Sequence, residues 1–213
     1  MSTQCFEESG EGWFDPWILL RALKRKCQSL GVNIRKGYPV SATTDNVTGR
    51  VLSVDVLEQQ SGKETINKYN VDNVVNAAGA ACSQLMKLLA NDKLTYPMPV
   101  EPRKRCIFFF HCATNQNEIV PRIAPLTICP ISNVYFRSEG HVPENGEASG
   151  NFLCGVSPKK EKDHVIHDFG NLDFVDHELW DEIIWPALYH RVPAFGEVKL
   201  KSSWAGLYEC EYD

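Results

Sequence analysis

The run Val71–Ala80, VDNVVNAAGA, constrains this chain more than any other stretch. Val71, Val74 and Val75 are β-formers and predict a short buried strand. The strand is expected to stop at Asn76-Ala77-Ala78-Gly79, where small residues open a helical run from Ala81 to Ala90. A strand that ends in small residues and turns into a helix offers bare backbone to a ligand. The helix N-terminus adds partial positive charge there. Small residues at such a turn also serve plain close packing, so the flanking sequence has to decide.

Upstream, Asp15-Pro16 predicts a helix start, with Asp15 as cap and Pro16 at the first helical position. Trp17, Leu19, Leu20, Leu23 and Cys27 form one helical face, and Gly31 ends the helix. Val32 and Ile34 are expected to begin a strand. Val40–Thr44 and Val51–Leu57 predict a hairpin around Asp45-Asn46 and Gly49. Lys63 and Glu64 are placed in a second turn, before a short strand near Ile66.

Downstream of a proline-bearing link, Tyr96-Pro97-Met98-Pro99, the composition shifts. Cys106–His111, Leu126–Cys129, Val134–Arg137 and Asn151–Val156 are short strand candidates separated by Gly and Pro, the pattern of an antiparallel sheet. Asp173–His190 is amphipathic through Phe174, Leu179, Ile183, Ile184 and Leu188, with Pro186 bending or ending its first part. Val198, Leu200 and Ser202 alternate toward Trp204 as a final strand. In Val134–Arg137, Tyr135 and Arg137 alternate with Phe136. If Phe136 faces the helices, Tyr135 and Arg137 face either a pocket or solvent. In a pocket, Arg137 has the fork to hold a carboxylate. Arg103-Lys104-Arg105 reads as a solvated strand entrance.

Charge and composition narrow the partners. A net charge of −5 over 213 residues argues against nucleic acid as the main partner. Eight cysteines include no CxxC pair, and several sit in apolar runs, so they are expected to be reduced core residues of an intracellular protein. His164 and His167 are not placed with a third ligand, so no metal site is expected. No apolar run approaches the ~20 residues that span a bilayer. The acidic N-terminus Met1–Glu8 has no signal-peptide or presequence pattern, so any organelle address is expected outside this chain.

Several blocks stand in a telling order: Gly12-Trp13-Phe14-Asp15-Pro16, Gly31-Val32-Asn33-Ile34, Val71–Gly79, Pro99–Arg105, Val134–Arg137, Asn151–Gly155 and Trp204-Ala205-Gly206. This order resembles the FAD-dependent amine and amino-acid oxidoreductases of the D-amino-acid oxidase type, which include sarcosine oxidases, glycine oxidase and dimethylglycine dehydrogenase. Glu11–Trp17, Pro99–Arg105, Trp185-Pro186, Arg191–Phe195 and Ser203–Gly206 are similar to a narrower branch. That branch is a mitochondrial flavoprotein implicated in assembly of respiratory complex I.

The resemblance implies an α/β plus α+β fold. Residues 1–97 are expected to be part of a Rossmann-like FAD-binding domain, 98–203 an antiparallel substrate-domain sheet with helix, and 204–213 a return toward the FAD domain. The family's Gly-x-Gly-x-x-Gly turn, which cradles the FAD pyrophosphate, is absent, and a second glycine-rich segment after Trp-Ala-Gly is not reached. The chain is therefore expected to be the middle of the architecture, truncated at both ends and inactive alone. Without a neighbouring first strand, Val71–Val75 would expose an edge.

By the same resemblance, Ala77, Ala78 and Gly79 line the FAD site through backbone. Val40 stands where the family meets the adenine end of the cofactor, or is a plain core valine. The strands from 100 to 157 roof the isoalloxazine. Trp204 packs near the flavin or in the core. Tyr208 stands where glycine oxidase-like members carry the arginine that grips the substrate carboxylate, and a phenol cannot neutralise a carboxylate. Simple amino-acid oxidation is thus in doubt. Implied partners are complex I subunits or assembly intermediates. The implied chemistry is hydride transfer from a C–N carbon to flavin, against a non-catalytic assembly protein that keeps the fold. No catalytic base is named by any motif.

Overall fold

Two antiparallel β-sheets dominate the computed structural model, which describes residues 14–90, 98–113, 124–140, 150–166, 172 and 174–211. Met1–Glu8, Gly12-Trp13, Tyr96-Pro97, His167 and Asp173, singled out above, lie outside the described residues. Contacts divide the chain into two compact units, Met1–Asp72 and Asn73–Asp213. This boundary differs from the one expected near residue 97. It falls inside the Val71–Val75 run itself.

The first unit holds helix α1 (Pro16–Ser29) and a three-stranded meander of β1 (Gly37–Thr44), β2 (Val51–Gln60) and β3 (Lys63–Asn70). Asp15 caps α1 as expected: its Oδ1 accepts from the backbone N–H of Trp17 at 2.8 Å and of Ile18 at 3.1 Å. Gly31, at φ +85°, closes the helix. The Gly31 N–H donates to Gln28 O and the Val32 N–H to Cys27 O, both at 3.0 Å, the paired bonds of a glycine-terminated helix. No residue of α1 is buried.

The predicted hairpin forms, and its turn is held by Asp45, whose Oδ1 accepts from Thr48 N at 2.7 Å and Val47 N at 3.0 Å. Two expectations fail here. Val32 and Ile34 are exposed and extended without pairing, because the ladder starts only where Gly37 meets Glu58. Lys63 and Glu64 are not a turn; they already pair with Gln60 and Gln59. The turn is Ser61-Gly62, with φ +51° and +80°. Two left-handed residues make the tight connection whose twist suits a hairpin.

In the second unit, a 3-10 turn (Gly79–Ala81) leads into α2 (Cys82–Leu89). Next come β4 (Glu101–Cys112), β5 (Thr127–Ile128), β6 (Val134–Glu139) and β7 (Asn151–Val156). A 3-10 turn (Lys160–Lys162), a π-helical turn (Trp180–Ile184), α3 (Trp185–Arg191), a 3-10 turn (Pro193–Gly196) and β8 (Val198–Cys210) follow. The sheet order is β5-β6-β7-β4-β8, every neighbouring pair antiparallel. The four strand candidates between 100 and 157 and the final strand are all present, and β8 runs unbroken through 203–204.

Period-two alternation sends Phe108, Phe110, Val134, Phe136, Phe152 and Cys154 to one face, all buried. The helical layer covers them with Trp180, Ile184, Leu188 and Phe195. Phe195 is the hub: its ring centroid lies 4.9 Å from Phe152, 5.2 Å from Phe110 and 5.5 Å from Phe136. The edge-to-face angles are the favoured aromatic geometry. Pro186 lacks the N–H an α-helix needs and crowds the carbonyl four residues back, and the wide π turn sits directly upstream of it. Phe174, expected on the helical face, is instead exposed with Lys104 Nζ 5.2 Å from its ring centroid.

The predicted buried strand at Val71–Val75 is not formed. Val74 and Val75 are 38% and 87% exposed, and among the described residues no strand pairs with them. A strand exists through its neighbours, and valine alone does not supply one.

Candidate functional site: the open face of the five-stranded sheet

The face of the sheet turned away from Trp180, Ile184, Leu188 and Phe195 carries Tyr135 and Arg137 from β6, Leu153 and Gly155 from β7, Arg105, Ile107 and Phe109 from β4, and Trp204 and Tyr208 from β8. The register fixes these neighbours. Tyr135 pairs with Gly155, Gly155 with Ile107, and Ile107 with Trp204, so Tyr135 and Trp204 close the two ends of one cross-strand row. Gly155 leaves the room that Tyr135 fills: a Cβ there would lie 2.5 Å from the phenolic oxygen. Burial pushes the Tyr135 phenol above the ordinary tyrosine range, while the nearby Arg105 charge pulls the other way.

Of the predicted residues, Tyr135, Arg137, Trp204 and Tyr208 come together on this face. Trp204 is 45% and Tyr208 59% exposed. Trp204 stands outside the buried cluster of this sheet. Arg137 does reach this face, but it donates to Ser138 O at 2.9 Å and pairs with Glu139. It is half-buried, not solvated.

The residue that the sequence reading missed is Arg105. The basic run was expected to be a solvated strand entrance, yet Arg103 is 7% exposed. The Arg105 side chain is 13% exposed and lies on the Asp163 carboxylate, Nη1 to Oδ1 at 2.8 Å and Nη2 to Oδ2 at 2.7 Å. Its Cζ is 5.6 Å from the Tyr208 ring centroid. The covering segment is laid along β4 by Arg103 to the Asp163 carbonyl, Ile166 N to Pro102 O, and an antiparallel bridge between Arg103 and Val165. Nothing periodic in residues 160–166 announces that contact.

The small-residue turn lies in the same unit. Asn76 staples it: Oδ1 accepts from Ala78 N at 3.2 Å and Nδ2 donates to Cys82 O at 2.9 Å. Ala77 and Gly79 are exposed and Ala78 half-buried. Gly79 has φ +53°, which favours glycine; a Cβ on it would come within 2.9 Å of Glu209 Oε1, the tip of an exposed side chain free to swing aside. For the FAD that the resemblance implies, this turn offers exposed backbone at which a flat group can approach. It fits that part of a flavin site. A Gly-x-Gly-x-x-Gly phosphate cradle is not among the 14 glycines of the sequence. Val40 lies on β1 in the first unit and is 42% exposed.

Cys106, Cys112, Cys129 and Cys154 are buried free thiols. Burial raises the Cys129 and Cys154 thiols, which keeps them neutral. Among the described residues, no three metal-ligating side chains come together, and no helix is long and apolar enough to cross a membrane.

Comparison with known proteins agrees with this architecture. FAD-dependent oxidoreductase domain-containing protein 1 of Xenopus laevis is 36% identical over 93% of this chain and 40% of its own length. The protein of the same name from Bos taurus is 35% identical, with 93% and 41% covered. The chain thus spans about two fifths of the length of these relatives. Among solved structures, L-proline dehydrogenase from P. horikoshii superposes with TM-score 0.65 at 18% identity, over 91% of this chain and 43% of that one. Iminodiacetate oxidase from a Chelativorans species gives 0.58 at 16%, over 92% and 43%. The family model described as FAD dependent oxidoreductase matches residues 3–213, and the chain belongs to that family.

Proposed function

We propose that this chain supplies the backbone turn and the substrate-side sheet of an FAD-dependent oxidoreductase that oxidises a C–N bond, within a mitochondrial flavoprotein that assists assembly of respiratory complex I. The observation that carries the reading is the gathering of Tyr135, Arg105, Trp204 and Tyr208 on the sheet face turned away from the Phe195 core. The small-residue turn abuts the far end of β8 in the same unit. The resemblance of the Pro99–Arg105 and Arg191–Phe195 blocks supports the assembly branch. L-proline dehydrogenase and iminodiacetate oxidase are named for secondary amines that also carry carboxylates, which supports oxidation of a C–N bond and leaves the choice between carboxylated and uncarboxylated amines to this chain's own side chains.

FAD supplies the hydride acceptor when bound. The chain's residues contribute differently. Ala77, Ala78 and Gly79 present backbone to the cofactor, Trp204 offers aromatic surface to the flavin and to substrate beside it, and Tyr208 offers it to substrate. Tyr135, kept protonated by burial, is a donor available to a developing charge.

A second reading has its own support. The three arginines on or beside the face each pair with a carboxylate: Arg103 with Glu101, Arg105 with Asp163, and Arg137 with Glu139. A face so neutralised suits a protein that keeps the fold for docking complex I intermediates without turnover. Anaerobic addition of a secondary amine to the FAD-loaded protein separates the two. An oxidoreductase bleaches its yellow band and regains it in air. A pure assembly factor stays oxidised and instead captures complex I subunits.

A further inference from the structure

The strongest unassigned feature of the open face is how Arg105 is held. Its guanidinium spends two donors on the two oxygens of Asp163, at 2.8 and 2.7 Å, and a third on Lys104 O at 2.9 Å. The Asp163 side chain is only 2% exposed. Its position is fixed by backbone as well: its N–H donates to Lys160 O, its carbonyl accepts from Arg103, and Ile166 bonds Pro102 close by. The carboxylate is therefore a fixed part of the fold. A fork already filled this way receives a second carboxylate only if a buried one is expelled, and an expelled partner leaves an uncompensated buried charge.

The rest of the face has the same character. Arg137 is matched by Glu139. What stands out toward solvent is aromatic: Trp204 and Tyr208, with the Arg105 plane 5.6 Å from the Tyr208 ring centroid. Aromatic faces favour apolar and cationic groups and offer no attraction to an anion.

We propose that Asp163 determines the charge selectivity of this face: by holding Arg105 it makes the site take uncharged or cationic amines and turn away carboxylates. The proposal rests on the reading of this face as the substrate side. It deepens that reading by naming the substrate class as an amine without a free carboxylate at the Arg105 position. Asp163 acts through Arg105 and is a positioning residue, so its test has to show more than lost stability.

The test is calorimetric titration of the full chain with phenethylamine and with phenylacetate, two small aromatic probes of opposite charge. Wild type is expected to bind phenethylamine and to bind phenylacetate at least about tenfold more weakly. Asp163→Asn keeps the shape and removes the charge. It should gain about tenfold or more for phenylacetate, the size of one charge-assisted fork. Arg105→Met in the Asp163→Asn background should abolish that gain, which a merely structural role for Asp163 would not do. If Asp163→Asn does not fold, as judged by circular dichroism, the pair Arg105→Met/Asp163→Leu removes both charges together, which buried pairs often tolerate. That variant frees no guanidinium, so it should show no gain for phenylacetate and keep its preference for phenethylamine. Equal wild-type affinity for the two probes overturns the proposal and leaves the substrate-face reading standing. So does a folded Asp163→Asn with wild-type discrimination, or a folded pair variant that gains phenylacetate affinity without Arg105. Binding of neither probe to wild type overturns both.

Discussion

The Tyr135 side chain lies across Gly155, the residue it pairs with on the neighbouring strand: a Cβ at 155 would fall 2.5 Å from the phenolic oxygen and 2.7 Å from Cζ. The glycine is there for space, not for backbone freedom. Gly155→Ala is expected to cost about 1–3 kcal/mol by overpacking and to push the Tyr135 ring off the sheet. Tyr135→Ala in the same chain should relieve most of that cost. A double-mutant cycle by urea unfolding reads the coupling.

Tyr135 also makes stability sensitive to alkali. Its folded pKa is raised by burial, so the neutral phenol is favoured in the native state. The sign follows: its contribution is complete below the unfolded tyrosine value of about 10 and is lost as pH rises through the folded value. Tyr69 behaves alike, because its hydroxyl donates to Glu58 at 2.7 Å. Ultraviolet titration should show late-ionising tyrosines, and Tyr135→Phe should remove one of them.

The first sheet is set up for the opposite limb. Hydrogen bonds from Thr48 and Val47 hold Asp45 below the usual carboxylate range. The Tyr69 hydroxyl, aided by Asn67 and Arg35, does the same for Glu58. Depressed carboxylates stabilise above their unfolded values and lose that contribution as pH falls through the folded ones. Acid unfolding followed by circular dichroism should therefore begin at higher pH in Glu58→Gln than in the parent chain.

Phe195 joins three rings from three strands. Phe195→Ala should cost about 3–5 kcal/mol in denaturant unfolding. Phe174→Ala, at an exposed ring, should cost about 1 kcal/mol or less, which is the worth of its contact with Lys104.

The sheet that builds the site was legible because half-buried antiparallel strands alternate, and Val134–Arg137 and Asn151–Val156 write that period plainly. Tyr135 and Arg137 could be placed opposite Phe136 on that ground alone. Arg105 could not, because its neighbour Asp163 comes from an irregular segment folded along β4, and a run of basic residues looks the same solvated or covered. Val71–Val75 misled for a related reason. Its β-propensity is real, but pairing decides, and no described strand lies beside it. Asn76, which holds the small-residue turn, was visible as a residue but not as a staple, since its bond to Cys82 O depends on the turn already being made.

The central claim is that the open sheet face and the Gly79 turn serve a flavin. Visible difference spectroscopy of FAD titrated with the purified chain tests it most directly. The account predicts a saturable shift of the flavin band, weakened in Trp204→Ala and in Gly79→Val, the latter by backbone strain at φ +53° and by a branched side chain on the exposed backbone the flavin approaches. A flavin spectrum unchanged at every protein concentration, or a shift indifferent to both substitutions, would contradict it.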